Sequence, residues 1–506
     1  MARHAEVMQC KASIKSQDQT QKLEAIHLYI HTHTSINMFK SLLLAAGLAS
    51  LASAKQACDF NITADEASTH ACGAECQATY KKMQAADLAH FRTEFDFGFY
   101  ETAANFSGSR AGDLLKLEPV NATRLDVKPG ATVYRIQYTS VDYDGELVPV
   151  TGYVAFPYSA PGQDAARNGA GNGTGNGNTN STTGRYRLAA WAHGTSGIYH
   201  GCAPSNGPTL YDPSAWQALI DQGYAVVGTD YAGIGNNHTT HKFLSFNAQA
   251  TDVYYSTIAA RKAFPGVLSK EWFSVGHSQG GGTVWKLAES DFVQGKDSGY
   301  IGTVAIAPAT YVVDMMLGGY DSVPEPAFVP LIPEMVRRVT PEYNSTILTD
   351  QMDSRMKLAE EAQMCVGGSV GLSMDLGKEQ ILSRERLDRD WPVYLEWQAR
   401  TAPALGAGSS SPILVIQGAN DSTVLPPTTG EAVERACKAG NEVHYSEYPG
   451  MEHTPVVSAS LSEWVPWINA RFDEAQGLRT MSGKGKCTKK VRKAFDLDNA
   501  KTPSEL

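Results

Sequence analysis

Two rhythms of apolar residues organise this chain. Over residues 132–138 and 148–156 apolar and polar positions alternate, and Asp144-Gly145 separates the two runs. Alternation on either side of an Asp-Gly step predicts a β-hairpin. From Arg185 onward, short unbroken apolar runs take turns with stretches of helical period. Strands are predicted over 186–192, 224–228, 272–275, 303–307, 413–417 and 443–448, and helices over 214–222, 248–264, 280–290, 428–439 and 460–475. Short apolar strands alternating with amphipathic helices specify a mostly parallel sheet with helices on both faces, an α/β class.

The pattern also marks what does not belong to that sheet. Residues 55–130 read as a helical lead-in to a core over 131–310 and 407–475. The stretch 311–406 between predicted strands is too long for a loop and too helical for a linker, and reads as a cap over the strand ends. It holds seven of the thirteen methionines, Met315, Met316, Met335, Met352, Met356, Met364 and Met374. Methionine fills irregular apolar space, so these residues are expected to pack the cap's own small core, some of them facing a ligand. Residues 159–184 are a Gly/Asn/Thr-rich surface loop expected to be disordered. Residues 476–506 form a basic tail, expected to be solvated.

At 506 residues, with 42% apolar and 19% charged positions, the chain has the composition of a globular protein with one large core and an insertion. Its formal net charge of −10 argues against nucleic acid as a partner. Residues 38–54 carry Lys40, an apolar run over 41–51 and the small-residue stretch Ala52-Ser53-Ala54, the pattern of a signal peptide. The run is too short to span a bilayer, which takes roughly 20 apolar residues. Residues 1–37 are polar and unpatterned and read as a non-native or untranslated leader before Met38. Export predicts a secreted, extracellular monomer without stable membrane insertion. The acceptor sequons at Asn61, Asn105, Asn121, Asn172, Asn180, Asn237 and Asn344 fit that reading as glycosylation candidates, while the one at Asn420 is expected to stay unused. Beyond the leader the cysteines are Cys58, Cys72, Cys76, Cys202, Cys365, Cys437 and Cys487, an odd number that leaves at least one without an intrachain partner. Disulfide connectivity stays open at this point, although Cys72-x3-Cys76 lacks a second ligand pair and favours a disulfide over a metal.

Candidate chemistry lies at the ends of predicted strands. Gly276-His277-Ser278-Gln279-Gly280 falls between an apolar strand and a helix. A nucleophilic serine there sits on a sharp turn, and glycines two residues to either side let strand and helix pass closely. The following helix points its N-terminus at the reacting centre, and the Gln279 N–H becomes an oxyanion donor. The same five-residue pattern recurs at Gly367-Gly368-Ser369-Val370-Gly371, but no strand precedes it, so Ser369 reads as part of a plain turn. His193-Gly194-Thr195 follows a strand and supplies the second oxyanion donor from the Thr195 N–H, with the hydroxyl adding a bond. Asp421 follows the strand 413–417, and His453 lies in the loop after the strand 443–448. The order Ser278, Asp421, His453 at strand C-terminal ends is that of a serine triad on this kind of sheet. His277 is expected to pack beside the elbow, and Asp230 to make structural hydrogen bonds. His200, His238 and His241 lack metal-ligand spacing, and the glycines over 169–177 all sit at odd positions and cannot satisfy G-x-G-x-x-G. No metal and no cofactor is expected.

Together with Gly201-Cys202-Ala203-Pro204-Ser205, Gly228-Thr229-Asp230-Tyr231 and the long cap, these motifs resemble the fungal secretory lipases, the lipase A type of α/β-hydrolase. The resemblance covers roughly 131–475. It implies the α/β-hydrolase fold, hydrolysis of a small-molecule or lipid carboxylic ester with an acyl pocket under the cap, no cofactor, and a Cys202–Cys365 disulfide tying cap to core. The His193-Gly194-Thr195 loop and the Asn/Gly insertion depart from the family pattern, so the expectation is an esterase or lipase. A peptidase, amidase or acyltransferase with the same triad is the alternative, and a non-catalytic binding domain the third.

Overall fold

The computed structural model describes residues 56–92, 94–161, 184–323, 327–479 and 485–502. The chain divides at Lys55, and the leader, the signal-peptide segment, and Asn172 and Asn180 lie outside the described residues.

The strands are β1 (Leu114–Pro119), β2 (Thr132–Val141), β3 (Leu147–Phe156), β4 (Tyr186–Ala192), β5 (Ala225–Thr229), β6 (Leu268–His277), β7 (Tyr300–Ile306), β8 (Ile413–Gly418), β9 (Val443–Tyr448) and β10 (Thr488–Val491). They form one sheet in the order β1-β2-β3-β5-β4-β6-β7-β8-β9-β10. β1, β2, β3 and β5 pair antiparallel, and every pairing from β5 through β4 to β10 is parallel. The predicted hairpin is β2–β3, whose register closes at Val141 opposite Leu147. Gly145 takes φ +88° in that turn, a value costly for residues with a Cβ.

Helices cover both faces because each turns an apolar stripe inward. In α3 (Phe246–Ala263), α4 (Gln279–Ala288) and α8 (Pro426–Lys438), Val253, Trp285 and Ala432 pack on one face of the sheet. In α2 (Pro213–Asp221) and α9 (Leu461–Ala475), Trp216, Trp464 and Phe472 pack on the other. This is the α/β-hydrolase architecture, a mostly parallel sheet sandwiched by helices.

The cap lies between β7 and β8 and contains α5 (Asp350–Ala362), α6 (Val366–Gly371) and α7 (Arg384–Thr401). Met315, Met335, Met352 and Met364 are buried in its core with Tyr394 and Trp397, Met316 and Met356 pack against that core, and Met374 is exposed. The lead-in helix α1 (Ala74–Phe91) serves the cap as well: Asp87 accepts the N–H groups of Gly367 and Gly368 at 2.8 and 2.7 Å, capping the start of α6. Disulfides join Cys72 to Cys76, Cys202 to Cys365, and Cys437 to Cys487, and Cys58 is free and buried.

Two strands lie where none was predicted. β1 sits inside the expected helical lead-in, and its register with β2 shifts between Leu114 and Lys116, which breaks the alternation that would reveal it. β10 lies in the basic tail. Its side chains are exposed, as expected, but its backbone pairs with β9, and the Cys437–Cys487 disulfide holds its leading end. Beyond β10 the chain returns to the loop after β9: Leu497 lies against Gly450, and the Glu452 N–H donates to the Thr502 carbonyl at 3.4 Å. Asn61, Asn105, Asn121, Asn237 and Asn344 are exposed. Among the described residues no helix is long and apolar enough to cross a membrane.

Candidate active site

Ser278 joins β6 to α4 with φ +57° and ψ −120°, a conformation disfavoured for any residue with a Cβ. The sequence permits this turn only because of its glycines. A Cβ on Gly276 would lie 2.1 Å from the Gly280 carbonyl oxygen, and one on Gly280 would lie 1.9 Å from that of Ala192. The Ser278 N–H donates to the Ile306 carbonyl and its own carbonyl accepts from Ala309, both at 3.0 Å, so β7 and the start of the cap clamp the turn. Gln279 opens α4, and N–H groups of a first helical turn have no acceptor within the helix. Ser369 lies in α6, buried, its hydroxyl donating to the Met364 carbonyl at 3.1 Å.

The carboxylate and imidazole meet across two neighbouring loops. Asp421 Oδ1 accepts the N–H groups of Thr423 and Val424 at 2.9 and 2.8 Å. Its Oδ2 accepts from Gln417 Nε2 at 3.0 Å and from His453 Nδ1 at 2.8 Å. The carboxylate is fully buried and satisfied, and an acceptor at Nδ1 favours the His453 tautomer that carries its proton there. Asn420 N–H donates to the Met451 carbonyl at 3.0 Å and Ala419 N–H to that of Tyr448 at 2.9 Å, so the two loops are stitched together. The His453 ring lies beside that of His277, the residue before Ser278, with centroids 4.7 Å apart.

On the opposite side Gly194 passes close to the elbow: a Cβ there would stand 3.5 Å from the Cβ of Ser278. The Thr195 hydroxyl donates to Gln279 Oε1 at 3.0 Å, which corrects the expectation that it faces the oxyanion. Its proton is committed to Gln279. Gln279 Nε2 lies 3.4 Å from His241 Nε2, whose Nδ1 bonds the Ala232 carbonyl at 3.0 Å. Burial pushes His241 down to about 3 and His193 to about 4, so both are neutral struts. Asp230 has the structural bonds expected of it, from Thr151 Oγ1 at 2.7 Å and Ser205 N–H at 2.8 Å.

Asp212 is a further member of the site that its sequence surroundings do not mark. It precedes a proline-led helix and reads there as an ordinary capping position. Its Oδ2 lies 3.3 Å from His277 Nδ1, and the other ring nitrogen of His277 lies 3.0 Å from the His453 carbonyl oxygen.

A cavity of about 30 Å³ opens at Ser278, Gln279 and Thr195. Its far walls are apolar, from Phe243 and Leu244 before α3 and from Val312, Met315, Met316 and Phe328 of the cap. No ionisable side chain is among the described residues that line it.

Solved structures with the same fold are only distantly similar in sequence. Candida antarctica lipase A in its closed state aligns with a TM-score of 0.57 and 16% identity over 80% of this chain and 90% of that one. The rice cell wall degrading esterase LipA of Xanthomonas oryzae aligns with a TM-score of 0.54 and 16% identity over 73% of this chain and 100% of that one. No curated protein matches in sequence. The family described as serine aminopeptidase, S33, matches residues 198–457, from the loop after β4 to beyond His453. That match spans about half of the chain, which therefore belongs to this hydrolase family within the α/β-hydrolase fold.

Proposed function

We propose that this protein is a secreted serine hydrolase that cleaves carboxylic esters through an acyl-enzyme on Ser278. His453 Nε2 takes the Ser278 proton as Oγ attacks the ester carbonyl carbon. The tetrahedral oxyanion is held by the N–H groups of Gln279 and Thr195, with the N-terminus of α4 aimed at it. His453 returns the proton to the departing alcohol, and Asp421 stabilises the imidazolium in between. Water, deprotonated by His453, then attacks the acyl-enzyme, and the acid leaves with Ser278 regenerated.

One observation carries the choice of ester: among the described residues, the lining of the cavity at Ser278 is mostly apolar and includes no ionisable side chain. The family description names an aminopeptidase. An aminopeptide substrate brings an ammonium group that must be met by a carboxylate or by several acceptors, since a buried unpaired charge is very costly. An acyl chain asks only for apolar walls. Both structural neighbours are named for ester cleavage, as a lipase and an esterase. Exposed sequons and three disulfides support export.

Ser278→Ala is expected to abolish hydrolysis of p-nitrophenyl butyrate and labelling by a fluorophosphonate probe while leaving the melting temperature unchanged. Matched butyryl ester and anilide substrates test the bond type. Faster turnover of the anilide, or of an anilide with a free α-amine, overturns the ester reading in favour of peptide hydrolysis.

A further inference from the structure

His277 and Asp212 form a second histidine–aspartate pair, the imidazole buried and the carboxylate mostly so, beside the one that contains His453. His277 Nδ1 faces Asp212 Oδ2 at 3.3 Å and its Nε2 faces the His453 carbonyl oxygen at 3.0 Å. Both partners are acceptors. A neutral imidazole has a single N–H, so only the doubly protonated ring satisfies both contacts at once. We infer that His277, held as an imidazolium by Asp212, is a positioning residue that fixes the main chain of the His453 loop and with it the aim of the His453 ring. This inference rests on the reading of His453 as the general base.

The turn that presents Asp212 is strained in a way a passive loop would not be. Leu210, Tyr211 and Asp212 take φ values of 56°, 52° and 43°. Left-handed backbone is unfavourable for a non-glycine residue, and three in succession persist only where the surroundings over-determine them. The same turn also reaches the other half of the site. The Tyr211 hydroxyl donates to the Thr195 carbonyl at 2.7 Å, and Ser214 Oγ donates to Asp212 Oδ1 at 3.0 Å. One turn thus holds both the oxyanion strand end and, through His277, the histidine loop.

The charges around His277 agree. Asp212 faces it from the turn before α2, Asp421 from the loop after β8, and His453 from the loop after β9, while His193 at the end of β4 is kept neutral by burial. Burial opposes a charge on His277, yet Asp212, the His453 carbonyl and Asp421 hold its pKa above the ordinary histidine value. Burial alone would raise the Asp212 carboxyl, and the His277 imidazolium instead holds it below the carboxylate range. Below the folded-state pKa of His277 both contacts are present. As pH rises through it, one N–H and one contact are lost, so the brace fails on the alkaline side.

The test is the pH profile of kcat on a soluble butyryl ester. The wild type is expected to show an alkaline limb. Asp212→Asn moves that limb to lower pH and Asp212→Glu restores it. The double variant H277Q/D212N, which buries no unpaired charge, abolishes the limb and lowers kcat about ten- to a hundred-fold with little change in KM. A wild-type kcat that stays flat into the alkaline range overturns the proposal, as does a double variant that keeps the wild-type kcat and limb. If none of these variants folds, histidine-selective 15N spectra of the wild type decide. One ring doubly protonated above the ordinary histidine range and titrating with the limb supports the brace, and neutral rings throughout overturn it. Fluorophosphonate labelling of Ser278 separates the two levels: no label refutes the triad itself, whereas a labelled wild type with an indifferent double variant refutes the brace alone.

Discussion

At the elbow, hydrogen atoms occupy positions that no carbon can share. A methyl group on Gly280 would stand 1.9 Å from a main-chain oxygen of β4, and backbone cannot yield as a flexible side chain does. Gly280→Ala is therefore expected to destabilise the fold by about 3 kcal/mol or more, read as a shift in denaturant midpoint. Gly430→Ala, in α8 with no neighbouring atom within 4 Å, is the contrasting control and should be neutral or slightly stabilising. The glycines around Ser278 were legible because such a turn has few sequence solutions. Asp421 and His453 were legible by chain order and strand ends. Asp212 and Tyr211 were not: their left-handed backbone is carried by residues that carry no local sign of it, and it persists through contacts to Thr195 and His277, distant in sequence.

The cap is the element where specificity and stability meet. Its side chains Met315, Met316 and Phe328 wall the cavity at Ser278, so they bound the space beside the elbow. Phe328→Ala should shift preference toward longer acyl chains by about ten-fold in relative kcat/KM across a graded ester series. The Cys202–Cys365 disulfide closes a loop of 163 positions, and Cys202→Ser is expected to cost about 2–5 kcal/mol, seen as a lower melting temperature under non-reducing conditions. Helices and central strands were readable because burial on both faces imposes long apolar runs. β1 and β10 were not, since an edge strand owes its existence to its neighbour: β1 has a register shift, and β10 shows only Thr488, Lys489, Lys490 and Val491, all exposed. The pairing of Cys437 with Cys487 was equally silent, because spacing alone does not choose among partners.

For the molecule as a whole, buried ionisable groups set the pH range of stability. Burial pushes Asp230 up to about 6, Glu289 to about 7 and Asp252 to about 8. Each binds a proton more tightly folded than unfolded. Its contribution is therefore lost as pH rises from the ordinary carboxylate range to the raised value. His193 and His241 work in the opposite sense: they are neutral when folded and cost stability as pH falls below the ordinary histidine range toward about 4 and about 3. The two sets cross in mildly acidic solution, and the melting temperature is expected to fall as pH climbs from there through about 8, where Asp252 ionises. Asp252→Asn should flatten that decline, measured by calorimetry across the same range.

The return of the C-terminal segment to the His453 loop has a consequence for how the protein becomes active. The stretch from Leu497 to Thr502 lies against the loop that carries His453, so the candidate site leans on a segment beyond β10, distant in sequence from Ser278. Proteolytic cleavage behind α9 would then weaken turnover although Ser278, Asp421 and His453 remained in place.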